Sequence, residues 1–145
     1  MKKIINPYLG MAEAEGYNCF ACAPHNEHGL HMEFYEDGDE VVCYWSPATH
    51  FQGWTDTLHG GIQATLIDET AGWVIARKMQ TSGMTTNLNI KYKRPIPTGE
   101  HVRLEIRARI CEMKRMFALM QASIMVDGEV CTTAELTFYC FSQEK

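Results

Sequence analysis

From His59 to Ala76 a glycine pair, Gly60-Gly61, opens a run whose turns are mostly apolar: Ile62, Ala64, Leu66, Ile67, Ala71, Trp73, Val74 and Ile75. A surface helix carries one apolar stripe, whereas a run that is apolar nearly all round belongs to a helix buried on most sides. In a chain of 145 residues, which is one domain's worth, such a helix has to be covered by the rest of the chain. Two carboxylates, Asp68 and Glu69, interrupt the run. Carboxylates rarely remain in that setting unless something pairs with them or uses them. The glycines leave the free N–H groups of the helix start open to close approach, a natural place for developing negative charge. One stretch therefore supplies an oxyanion site and a candidate base.

The flanking segments read as strands. Leu30 to Tyr35 and Glu40 to Trp45 bracket the turn signal Glu36-Asp37-Gly38-Asp39, a hairpin pattern. Pro47 to Leu58 is a loop, and Thr81-Ser82-Gly83 breaks the chain after the helix. Met84 to Arg94 alternates, with Thr86, Leu88, Ile90 and Tyr92 on one face and Thr85, Asn87, Asn89 and Lys91 on the other. His101 to Cys111 alternates strictly, and Met116 to Val126 and Glu129 to Phe141 form a hairpin over Asp127-Gly128. Residues 1–28 are an N-terminal arm with a short helix expected near Met11 to Glu15; residues 29–145 form the domain. Two strands, one long helix and four strands predict the α+β class: an antiparallel sheet wrapped around one long buried helix.

Composition narrows the function. A net charge of -5 argues against a nucleic-acid partner. The N-terminus carries no signal-peptide pattern and no apolar run long enough for membrane insertion. Six cysteines in a chain with this core and no export signal are expected to be reduced thiols of a cytoplasmic protein.

Four motifs then converge. Phe51-Gln52-Gly53, Leu58-His59-Gly60-Gly61, Ala64-Thr65-Leu66-Ile67-Asp68, and Thr86-Asn87-Leu88-Asn89-Ile90 leading to Tyr92-Lys93-Arg94-Pro95 resemble the hotdog-fold acyl-CoA thioesterases. The phenylacetate-pathway (PaaI-like) and THEM-type branch is the nearest in pattern. Cys19-Phe20-Ala21-Cys22, with Gly29-Leu30 ahead of a strand, also resembles the opening of many members. The resemblance runs from about residue 19 to residue 141, with its motifs in order.

The resemblance implies that Asp68 acts as base toward water or as nucleophile toward the thioester carbonyl. It implies that the N–H of Gly60, with Gly61, polarises that carbonyl, that His59 belongs to the same catalytic segment, and that the Thr85 hydroxyl orients water. Gln52 lies in a loop that supplies an amide to the site in relatives, and Asp56 stands where relatives commonly have Gly. Hydrolysis of a thioester needs a donor for the oxyanion and a group that activates water or attacks directly, so the chemistry agrees. Glu69, about 100° round the helix from Asp68, is expected to face water or a neighbouring lysine.

Geometry adds a constraint. Gly60 and Asp68 on one helix are roughly 12 Å apart, too far for one carbonyl to touch both. Two antiparallel helices related by a two-fold axis would bring Gly60 of one subunit opposite Asp68 of the other. A homodimer with shared sites is expected, with a dimer of dimers (a homotetramer) compatible.

Coenzyme A, part of the substrate rather than a cofactor, needs cations for its phosphates, and Arg94, Lys114 and Arg115 are the candidates. Asn87 is a further candidate contact, and Trp54, Trp73, Met79 and Met84 are candidates to line the acyl pocket. The alternating Arg103, Arg107 and Arg109 read as a solvated face. Cys19, Cys22, His25 and His28 form a C-X2-C-X2-H-X2-H array, but two residues between the pairs leave little chain to wrap a tetrahedron; no metal and no cofactor are expected. Two other classes share the fold: acyl-thioester dehydratases or hydratases, with which His59 is compatible, and non-catalytic acyl-CoA-binding modules, against which an intact Asp68 speaks.

Overall fold

A computed structural model describes residues 1–9 and 16–141 of the chain; the short helix expected near Met11 to Glu15 lies outside the described residues. The apolar run is a 19-residue helix, α1, Gly60–Lys78. Its last turn carries Arg77 and Lys78, cations that suit the negative end of the helix dipole. Leu66, Ile67, Ala71, Val74 and Ile75 are fully buried, and these positions form the face pressed on the sheet.

The strands are β1 (Lys2–Lys3), β2 (Tyr35–Asp37), β3 (Glu40–Trp45), β4 (Gly83–Tyr92), β5 (Leu104–Lys114), β6 (Phe117–Val126) and β7 (Glu129–Cys140). They make one antiparallel sheet in the order β1-β2-β3-β5-β6-β7-β4. The period-two pattern puts one layer of side chains under the helix: Cys43 opposite Ile106, Ile106 opposite Ile124, Ala122 opposite Ala134 and Leu136 opposite Leu88. The β6–β7 turn carries Asp127 and Gly128 at φ 52 and 80, the left-handed pair of a tight hairpin. The fold is the hotdog-like α+β architecture expected, with β1 added at the sheet edge.

The strand expected at His101 to Cys111 is displaced to Leu104–Lys114, with a register shift between Ile110 and Glu112, and two further segments depart from expectation. The strand placed at Leu30 to Tyr35 is regular only from Tyr35. Ahead of it, Leu30, Met32 and Phe34 are buried, but their backbone bonds go to the arm. Leu30 N–H donates to Phe20 O at 2.8 Å and Met32 N–H to Ala21 O at 2.9 Å, while Phe34 O accepts from Ile4 N–H at 2.8 Å. The arm is therefore tied to the domain through its backbone. The second of these is in β4 and shapes the site.

Candidate active site

Asp68 sits midway along α1, half-buried, and accepts a hydrogen bond from the Thr85 hydroxyl. Strict alternation would put Thr85 with Asn87 and Lys91, away from Leu88 and Ile90. The register of β4 on β7 slips instead: Thr85 lies opposite Phe138 and Asn87 opposite Thr137, so Thr86 is the extra residue of a bulge. The Thr86 hydroxyl donates to Thr137 O at 3.1 Å. A bulge re-aims the side chain beside it, and here it turns Thr85 toward the helix, onto the inner side with Leu88 and Ile90. Thr86 and Asn87 are both left exposed, so Asn87 stands apart from the Asp68–Thr85 pair.

The helix start is assembled from the loop before it, the loop after β4 and the end of β4. Leu58 N–H donates to Ile96 O at 2.8 Å and His59 N–H to Phe51 O at 3.0 Å. His59 is the N-cap, its Nδ1 accepting the Gly61 N–H at 2.8 Å, so an imidazole serves where Ser, Thr, Asp or Asn usually caps. Tyr92 donates its hydroxyl to Gly60 O at 2.9 Å, and a Cβ on Gly60 would lie 3.3 Å from the Tyr92 ring. Of the two glycines expected to polarise a carbonyl, Gly61 has its N–H taken by His59. The Gly60 N–H meets no acceptor among the described residues. It borders an open recess of about 420 Å³ lined also by Gly61, Tyr92, Lys93 and Arg94.

Within one chain the Asp68–Thr85 pair and the helix start at Gly60 lie apart. Helix and strand run antiparallel, with Asp68 at Thr85 and Gly60 at Tyr92; Thr85 to Tyr92 spans roughly 20 Å of strand. The cations divide the same way. Arg94 follows Tyr92 and pairs with Glu129 at 3.4 Å on the surface. Lys114 and Arg115 lie at the β5–β6 turn, where Phe117 pairs with Tyr139 and Tyr139 with Met84, the Thr85 end of the sheet.

The other candidate residues are dispersed. Trp54 is 83% exposed in the loop before the helix. Gln52 accepts the Asp56 N–H on its Oε1 at 3.1 Å, so its amide is engaged in holding its own loop. Asp56 has φ 60, a left-handed conformation that glycine adopts freely and Asp tolerates, which suits the glycine that the family resemblance implies at this position. Trp73 is buried and stacked on Phe34 at 5.2 Å, with Tyr8 of the arm edge-on at 6.2 Å. It belongs to the seam between helix and arm and not to the surroundings of Asp68. Met79 is half-buried at the helix end and Met84 is 56% exposed on β4.

Three features escaped sequence reasoning. Tyr92 read as an alternating strand residue and as part of the Tyr92-Lys93-Arg94-Pro95 motif, with no role of its own at the helix start. Gln63 is buried and accepts from the buried Thr132 hydroxyl; a lone amide in an apolar helix was the available signal. Glu69 faces neither water alone nor a lysine: its Oε2 accepts the Trp73 Nε1–H at 3.0 Å and lies 3.8 Å from Cys19 Sγ. Its i, i+4 spacing to Trp73 was legible, but the cysteine comes from 50 residues away. The Cys-His array does not assemble. His25 Nε2–H donates to Tyr17 O at 2.7 Å and His28 is exposed, whereas Cys19 and Cys22 converge on Glu69.

The sequence profile of the thioesterase superfamily matches residues 55–133, more than half of the chain. The protein belongs to that superfamily. Over 95 residues it is 37% identical to rat (Rattus norvegicus) acyl-coenzyme A thioesterase THEM4, covering 63% of this chain and 40% of the rat protein. It is 31% identical to mouse (Mus musculus) THEM4 over 82% of this chain and 53% of that one. The chain thus spans about half the length of the curated relatives it matches. In structure it is similar to a hypothetical thioesterase from Streptococcus pneumoniae TIGR4 solved with coenzyme A. That likeness has a TM-score of 0.71 and 22% identity, covering 79% of this chain and 88% of that one. No helix among the described residues is long and apolar enough to cross a membrane.

Proposed function

We propose that this protein hydrolyses acyl-CoA thioesters to the free acid and coenzyme A. The observation that carries the reading is the hydrogen bond from Thr85 to Asp68, which joins a hydroxyl and a carboxylate from two distant segments at one half-buried point. Asp68 takes a proton from water, or attacks the carbonyl carbon itself, while the Thr85 hydroxyl holds the carboxylate, and water beside it, in one orientation. The oxyanion goes to the open N–H of Gly60 at the positive end of α1, where a preorganised donor gains most in a partly dehydrated site. His59 acts by capping the helix and holding Gly61, a positioning role.

Because Gly60 and Asp68 are about 12 Å apart along one helix, the complete site belongs to a homodimer. Strand β4 supports this. It closes the sheet at one end, ten residues long, with Met84 and Tyr92 56% and 53% exposed; an edge of that length is a template for another strand. Two-fold antiparallel pairing of β4 edges sets the Thr85 end of one subunit against the Tyr92 end of the other. Lys114 and Arg115 of one chain and Arg94 of its partner then flank a shared site and meet coenzyme A phosphates. The relatives named acyl-coenzyme A thioesterases and a structural neighbour solved with coenzyme A support the same substrate class.

The test is release of free thiol from a panel of acyl-CoAs. Asp68→Asn and Asp68→Ala are expected to lower kcat by about 10²–10⁴ while folding as dimers. Wild-type turnover in Asp68→Ala removes the assignment; hydration of enoyl-CoAs without thiol release would move the protein to the dehydratase class.

A further inference from the structure

Cys19, Cys22 and Glu69 bring two sulfurs and a carboxylate oxygen within 4.8 Å of one another, at a point the hydrolytic reading does not use. The turn is closed by Ala23 N–H donating to Cys19 O at 3.1 Å, and Cys22 N–H donates to Cys19 Sγ at 3.3 Å. An amide aimed at a sulfur stabilises its anion. Cys19 is half-buried and Cys22 buried, so a reagent in solution reaches the first sulfur and the second is reached through it. Glu69 is held by the indole Nε1–H of Trp73 at 3.0 Å and lies 3.8 Å from Cys19 Sγ; the Tyr17 hydroxyl lies 2.9 Å from Cys22 Sγ.

We propose that Cys19 and Cys22 are a reversible dithiol–disulfide site that exchanges with low-molecular-weight disulfides, with Glu69 accepting the proton of the second thiol. The Cys19 thiolate attacks one sulfur of the small disulfide RSSR, forming a mixed disulfide and expelling RS⁻. Glu69 then takes the proton of Cys22, whose sulfur attacks Cys19 Sγ and expels the second RS⁻; the proton passes from Glu69 to solvent, and both thiolates equilibrate with their thiols. In sum, the protein dithiol and RSSR give a protein disulfide and two RSH: the cysteines lose two electrons and the small disulfide gains them. The titration of the pair runs in the same direction. The hydrogen bond from Cys22, opposed by burial, brings the Cys19 thiol down to about 7, and the hydrogen bond to Cys19, burial and the nearby Glu69 hold Cys22 well above the usual thiol range. An attacking thiol is most effective when its pKa is near the ambient pH, and a buried thiol that resists ionisation needs an acceptor for its proton. A bound divalent metal is the competing use of these atoms. Among the described residues the cluster offers it no fourth donor, since His25 is turned to Tyr17 O, and it is an outcome of the test.

The experiment uses the full chain with Cys111→Ser, which removes the exposed thiol. The protein is equilibrated in mixtures of reduced and oxidised glutathione, quenched with acid, alkylated and mapped by mass spectrometry, after elemental analysis for zinc. The expected result is a Cys19–Cys22 disulfide that forms and reverses with the glutathione ratio. Cys22→Ser should stop at a glutathionyl adduct on Cys19, and Glu69→Gln should prolong that mixed disulfide about tenfold or more near neutral pH. Should either variant fold poorly, as judged by circular dichroism, the pH dependence of ring closure in the unsubstituted pair replaces it. Oxidation spread over Cys43, Cys131 and Cys140, no Cys19–Cys22 disulfide at any ratio, or stoichiometric zinc that shields both thiols overturns the proposal. Closure unaffected by Glu69→Gln removes Glu69 from it.

Discussion

Two inactive proteins should make an active one when their subunits are exchanged. Asp68→Ala removes the carboxylate that Thr85 holds. Gly60→Val attacks the other half-site: even its Cβ would stand 3.3 Å from the Tyr92 ring, tighter than ordinary contact. The added methyls crowd the recess beside the Gly60 N–H and strain the bond from Tyr92 to Gly60 O. Each homodimer then lacks one half of both sites. After co-refolding equal amounts, random pairing makes half the dimers mixed. Each mixed dimer combines the intact Gly60 of one chain with the intact Asp68 of the other at one of its two sites. Activity should therefore recover to about a quarter of wild type. The assay is thiol release from acyl-CoA before and after exchange, with heterodimers counted by native mass spectrometry. Gly60→Ala, a smaller intrusion, guards against a variant that fails to fold. Heterodimers present in the expected share but inactive would refute the shared site and require both groups to act within one chain.

Further outcomes follow from single contacts. Thr85→Val keeps the shape and deletes the donor to Asp68; kcat should fall by about tenfold or more with KM little changed, and an unchanged kcat would make Thr85 structural only. Trp73→Phe leaves the stack on Phe34 but removes the donor to Glu69, and thermal unfolding should report a loss of about 0.5–1.5 kcal/mol. The Arg107 guanidinium beside Asp37 holds that carboxyl below its usual range, as Arg77 and Lys78 hold Glu36. Stability from a depressed carboxylate is present above its unfolded pKa and lost as pH falls through the folded value. Arg107→Met should therefore flatten the loss of stability below the usual carboxylate range while lowering stability near neutral pH; identical acid curves would count against the Arg107 cluster.

What was legible in the sequence was whatever depends on local periodicity. The α1 run, the Asp127-Gly128 hairpin and the inward row of β5 follow from a turn signal and from counting by two or by 3.6, because burial repeats with the backbone. The bulge at Thr86 defeated that counting. Read by alternation, Thr85 points away from the helix; one extra residue against Thr137 reverses it. No residue type marks the slip, since it is decided by how β4 meets β7, strands about fifty residues apart in sequence. The strand assigned to Leu30 through Tyr35 is regular only from Tyr35 for a related reason. Its apolar alternation is real and its side chains are buried, but its hydrogen-bond partners are the arm residues Phe20, Ala21 and Ile4.

The same distinction explains why the contacts of Asp68 and Glu69 could not be read from their positions in the helix. Both are carboxylates in an apolar run, and the sequence marks each as needing a partner. The identity of the partner is tertiary. Asp68 meets a hydroxyl from the edge strand and so faces the open end of the sheet. Glu69, a third of a turn away, meets an indole on its own helix and a thiol on the arm. One faces the place where a second subunit would bring its helix start; the other fastens the arm that covers the helix's far side. Adjacent residues of like charge thus serve different sides of α1, and the rotation of about 100° per residue is what separates them.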